Sequence, residues 1–85
     1  MVRLYKMNGC PFCDKLKGLL EENDIEFKEI DINDERYKFE FNSIVEKSGA
    51  DSVPIVIVNK KILIPEKSFM TIEEGLNIIK KLLNE

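Results

Sequence analysis

Cys10 and Cys13 are the only cysteines among 85 residues, and Pro11 and Phe12 alone separate them. Two thiols at this spacing can close into a disulfide and reopen, which makes the pair a candidate redox centre. Position sets its reactivity. The pair follows a short apolar run, Val2-Arg3-Leu4-Tyr5, and precedes a segment with helical periodicity. The first turn of a helix presents unpaired N–H groups and the positive end of the helix dipole. A thiolate placed there is stabilised, and its pKa falls from about 8.5 toward neutrality. Pro11 suits the first helical position, where a missing N–H costs nothing. Cys13 lies one turn further, on the same side as Cys10. Cys10 is the expected nucleophile, as the more exposed thiol, and Cys13 the resolving thiol. Asp14 opposes a thiolate at Cys10; Lys15 and Lys6 favour one.

No histidine is present. Cys-His and Ser-His catalysis are thereby excluded, as is any His-ligated metal site. Two cysteines cannot close a tetrahedral zinc site within one chain. The net charge is −3, with no basic cluster, which argues against nucleic acid or an anionic membrane as partner. The longest apolar stretch, Val53 to Val58, is too short to span a bilayer. Met1 to Cys10 holds no apolar signal-peptide core. A lone close cysteine pair differs from the many-cysteine frameworks of small secreted proteins. The expectation is a monomeric cytoplasmic protein, one domain over residues 1–85, with both thiols reduced at rest.

The elements that must hold the pair can be read in order. Val2 to Lys6 is a strand, and Gly9 frees the backbone just before the motif. Pro11 to about Asn23 is a helix with Leu16, Leu19 and Leu20 inward. Ile25-Glu26-Phe27 opens a second strand reaching Ile30 or Ile32. Asn33-Asp34 caps a second helix running to about Lys47, with Tyr37, Phe41, Ile44 and Val45 on one face and Gly49 as its stop. Phe39 lies off that face and is expected to be partly exposed, covering the helix edge. Pro54 opens Ile55-Val56-Ile57-Val58, a β-branched run typical of a buried strand. Asn59-Lys60 turns the chain into a fourth strand, Lys61 to Ile64. Thr71-Ile72-Glu73-Glu74 is a capping box for a last helix. That helix has Ile72, Leu76, Ile79 and Leu83 inward, and Gly75 on the same side points to close packing. The order β-α-β-α-β-β-α predicts an α/β fold: a mixed four-stranded sheet with three helices covering both faces.

Cys10-Pro11-Phe12-Cys13 after a first strand, with Ser52-Val53-Pro54 before a buried strand, resembles glutaredoxin over nearly the whole chain. The resemblance implies a thioredoxin-like, glutaredoxin-type three-layer fold. It implies a cis bond before Pro54, beside the cysteines, and a Val53 backbone that meets the substrate peptide. Pro11 and Phe12 are implied as supporting residues. Two departures concern glutathione. Many members carry Lys three residues before the first Cys, where Met7 stands here, with Lys6 one residue earlier. Members also carry Gly-Gly then Asp after the fourth strand, where this chain reads Ile62-Leu63-Ile64-Pro65-Glu66-Lys67-Ser68-Phe69-Met70. Lys6 and Ser68 remain as candidate polar contacts to glutathione.

The chemistry implied is dithiol–disulfide exchange on protein or glutathione mixed disulfides, with no bound cofactor and glutathione as reductant. Ribonucleotide reductase is a substrate of the family. Three alternatives stay open. One is a glutaredoxin-like thioredoxin recharged by a thioredoxin reductase. Another is a dimer that holds a bridged iron–sulfur cluster with outside thiols. The third is a redox switch that acts on a partner without turnover.

Overall fold

Alternation along the first strand sets the layers. In the computed structural model, which describes residues 1–85, β1 (Val2–Lys6) sends Val2 and Leu4 to one face and Tyr5 to the other. β3 (Ile55–Val58) divides likewise, Val56 and Val58 against Ile55 and Ile57. Both strands are central and buried on two sides, which is why the β3 sequence reads as unbroken β-branched residues. The sheet order is β2-β1-β3-β4, with β2 spanning Phe27–Asp31 and β4 spanning Lys61–Leu63. β1 runs parallel to β2 and antiparallel to β3; β3 and β4 form the hairpin. α1 (Pro11–Glu22) and α3 (Ile72–Leu83) cover one face, with Leu16, Leu20, Leu76 and Ile79 among their buried contacts. α2 (Lys38–Ser48) covers the other through Ile44. The result is a thioredoxin-like three-layer fold. No helix is long and apolar enough to cross a membrane.

Strand direction gathers the loops that matter. Tyr5 pairs with Ile55, and Lys6 with Asp31. Leu63 pairs with Val56. The end of β1, the end of β2, the start of β3 and the end of β4 therefore share one edge of the sheet. The loops carrying Met7–Cys10, Ile32–Asp34, Ala50–Pro54 and Ile64–Met70 all leave from that edge.

Several boundaries differ from those read in the sequence. The second strand starts at Phe27, not Ile25, because Asp24 takes φ 54° and the Ile25 N–H donates to the Leu20 carbonyl at 3.0 Å, closing the end of α1. The second helix is not continuous from Asp34. Asp34 caps a single 3₁₀ turn, Glu35–Tyr37, by accepting from the Arg36 N–H, and α2 begins afresh at Lys38. Phe39 is 89% exposed and covers nothing. Leu83 is 40% exposed; the helix end turns Leu82 toward the core instead. The capping box of α3 is formed as read, with Thr71 Oγ1 accepting from Glu74 N at 3.1 Å and Glu74 Oε1 accepting from Thr71 N. Gly75 sits 3.4 Å from the Phe69 ring at its missing Cβ position, so the close packing is real.

α2 is tied to the sheet by a polar contact. The Tyr5 side chain is buried, and its hydroxyl donates to Glu40 Oε1, which also accepts from Arg3 Nη1 at 3.0 Å. Burial, followed by the neighbouring Glu40 carboxylate, pushes the Tyr5 phenol up from 10.0 to about 12. The unfolded phenol loses its proton first, so this group's contribution is whole below pH 10.0 and drains away as pH rises toward about 12. Tyrosinate absorbance should accordingly show a late step near pH 12 that the Tyr5→Phe variant lacks. A Tyr5 step near 10.0 would mean that the phenol is solvated.

Candidate redox site

Cys10 is the N-cap of α1, in an extended conformation, with Pro11 at the first helical position. Its sulfur accepts a hydrogen bond from the Cys13 N–H at 3.2 Å, and its carbonyl accepts the first helical bond, from Asp14 N, at 3.0 Å. Gly9, at φ 77°, makes the left-handed turn that delivers the chain into this cap. The sulfur thus stands where the helix places its free donors and positive dipole end. Cys10 is half-buried, whereas Cys13 is 1% exposed, beneath the first turn. The two Cα atoms are 5.2 Å apart and the sulfurs are joined as a disulfide. The helix start accommodates the closed bond.

The charged neighbours are engaged elsewhere. Lys15 pairs with Glu73 of α3 at 2.7 Å. Lys6 reaches Glu29 at 3.4 Å and donates to Asn8 Oδ1 at 2.8 Å. The two lysines expected to favour a thiolate are thus both held by carboxylates, which leaves the helix terminus as the local stabiliser of negative sulfur.

The bond between Val53 and Pro54 is cis. Phe12, 64% exposed, shares a groove of about 470 Å³ with Val53, Pro54, Glu66, Met70 and Glu73. Neither the N–H nor the carbonyl of Val53 has a partner within the chain. Lys6 and Ser68 are not brought into this groove. The Ser68 hydroxyl accepts from the Ile64 N–H at 3.0 Å and closes the turn after β4. That turn replaces any Gly pair: Glu66 takes φ 70° and donates its N–H to the Phe69 carbonyl at 2.8 Å.

Sequence reading missed a second cavity at the same edge. It has about 540 Å³ and is lined by Met7, Ile32, Phe41, Val45 and Val53 among others. Phe41 and Val45 were assigned to the core face of α2 by their spacing, and both are only half-buried.

The glutaredoxin family model matches residues 2–63. A protein of Clostridium pasteurianum described as an uncharacterized glutaredoxin-like 8.6 kDa protein in the rubredoxin operon is 28% identical over 65 residues, 75% of this chain and 83% of its own. Glutaredoxin 3 of Escherichia coli (strain K12) is 29% identical over 58 residues, 68% of each chain. The crystal structure of wheat glutaredoxin superposes with a TM-score of 0.72 at 26% identity, covering 98% of this chain and 78% of that one.

Proposed function

The chain belongs to the glutaredoxin family, and on that premise we propose that it is a dithiol–disulfide oxidoreductase working through Cys10 and Cys13. One observation carries the assignment of roles: the Cys10 sulfur is the N-cap acceptor of α1, and Cys13 is buried one turn behind it. The Cys10 thiolate attacks one sulfur of a substrate disulfide, forms a mixed disulfide and expels the other sulfur as a thiolate. Cys13, losing its proton, then attacks the Cys10 sulfur. The second substrate sulfur leaves as a thiolate and the Cys10–Cys13 bond closes. Two electrons pass from the dithiol to the substrate, and both leaving thiolates take up protons. An external thiol or reductase reopens the pair, so no bound cofactor enters the cycle. A reducing cytoplasmic compartment is the setting in which that recharging is sustained.

The cycle is tested by removing its second half. Cys13→Ala keeps the buried site apolar and leaves one thiol. Mixed with excess disulfide, this variant should accumulate a stable mixed disulfide at Cys10, visible as the added mass of one substrate thiol. The parent should instead lose two thiols per chain and carry no adduct. An adduct-free, unreactive Cys13→Ala protein would show that Cys10 is not the attacking sulfur.

Two reductants fit this chemistry. Glutathione is the one that the resemblance implies, and a thioredoxin reductase is the other. The engagement of Lys6 by Glu29 and Asn8, and of Lys15 by Glu73, favours the protein reductant, because neither ammonium is free for the carboxylates of glutathione. Turnover with a thioredoxin reductase is expected to exceed turnover with glutathione and its reductase; the reverse ranking would restore glutathione. No observation favours the bridged iron–sulfur reading.

A further inference from the structure

We propose that the apolar cavity beside Met7 is a specificity subsite, which takes a bulky apolar side chain flanking the reacting cysteine of a polypeptide disulfide. This inference rests on the oxidoreductase reading above and names the substrate class of that same site. Continuity comes first. The chain from Met7 to Phe12, which carries Cys10, runs from this cavity to the groove, and both spaces share Ser52 and Val53. A segment held at Cys10 therefore has the cavity on one side and the groove on the other. Main-chain chemistry comes second. The unpaired N–H and carbonyl of Val53 offer a donor and an acceptor to an extended backbone lying between the two.

Charge decides between a polypeptide and a small acidic thiol. Seven of the nine cavity residues are hydrophobic and its one charged group is Asp51. The groove contributes Lys15, Glu66 and Glu73, and Lys15 is already bound to Glu73. Lys67, whose Nζ lies 3.2 Å from where a Gly49 Cβ would stand, lines neither space. A thiol with free carboxylates meets no free cation on either side, and meets a carboxylate on both. An apolar side chain carried within a polypeptide meets neither penalty, and it removes the cavity wall from water.

The test uses mixed disulfides of short peptides, each with one cysteine and a common uncharged leaving thiol. The residues flanking the cysteine are Leu, Ser or Asp. The second-order rate constant of the reduced protein with each is divided by that of free dithiothreitol, which cancels intrinsic reactivity. The Leu-flanked peptide is expected to outrun the Asp-flanked one by roughly ten- to hundredfold, with Ser between. Met7→Glu, in an exposed loop, and separately Val45→Glu should each bring the Leu-to-Ser ratio, which compares two uncharged peptides, down toward one. Phe39→Glu makes the same kind of change at an exposed α2 position lining neither space, and should leave the ratio alone. Equal rates on the three peptides, or a ratio untouched by both cavity variants, overturns the subsite while thiol exchange stands. Failure to reduce any of the peptides overturns the oxidoreductase reading and the subsite with it.

Discussion

Cys10→Ser is expected to lower disulfide reduction by at least roughly a thousandfold, because a hydroxyl cannot stand in for the attacking thiolate. The substitution isolates chemistry from folding. Cys10 caps α1 by accepting from the Cys13 N–H, and serine is among the preferred N-cap residues. The variant should therefore melt no lower than a parent whose pair is reduced, while its activity disappears. Alkylation by iodoacetamide gives an independent reading. In the reduced parent, Cys10 should react with a midpoint well below the value of about 8.5 for a free cysteine, and Cys13, 1% exposed, should react slowly. A Cys10→Ser protein that retains parental turnover would transfer the attack to Cys13. That outcome would contradict burial, since the substrate sulfur would have to reach beneath the first helical turn.

Most of the architecture was legible because it is written locally. Two periods, 2 in Val2–Tyr5 and 3.6 in Leu16–Leu20, separate strand from helix, and the Thr71–Glu74 box names its own helix start. The helix-start position of the cysteines was legible for the same reason. Glycine offered a further local sign: Gly75 among large apolar residues announced a close neighbour, which is the Phe69 ring. What failed locally was the join between two short helical pieces. Asp34 was read as a cap and is one, yet its helix lasts a single turn before Lys38 restarts the chain.

The site was only half legible, since its other half depends on contacts between distant elements. Lys15 and Lys6 read as free cations near a thiolate. The partner of Lys15 is Glu73, on a helix at the far end of the sequence, and that of Lys6 is Glu29 on the neighbouring strand. Ser68 read as a free hydroxyl because nothing in the sequence shows the turn that uses it. The cavity was hidden for a similar reason. A periodic apolar face says which side of α2 turns inward; it does not say whether the sheet fills the space beneath. Here Ile44 reaches the core, while Phe41 and Val45 remain half-buried beside the Met7 loop.

Leu16→Ala should cost about 2–5 kcal/mol and lower Tm by roughly 10–30 °C, whereas Leu83→Ala should cost less than about 1 kcal/mol. Spacing alone assigns both leucines to the core. Burial separates them: Leu16 is 0% exposed and Leu83 is 40% exposed. Leu16 lies one turn beyond Cys13 in the cluster that joins α1 to α3 and to the inner sides of β1 and β3. Truncating it removes the transfer energy of its side chain and leaves a void that close-packed neighbours fill only in part. An 85-residue domain holds a total of only roughly 4–13 kcal/mol, so one such void consumes a large share. The same cluster seats the helix whose first turn holds the Cys10 sulfur. Thermal loss of disulfide reduction in Leu16→Ala should therefore track its melting curve, with the rate per folded molecule unchanged well below Tm. Equal melting of the two variants would mean that α1 is not anchored through Leu16. A lowered rate in fully folded Leu16→Ala would mean that this contact also tunes the cap that holds Cys10.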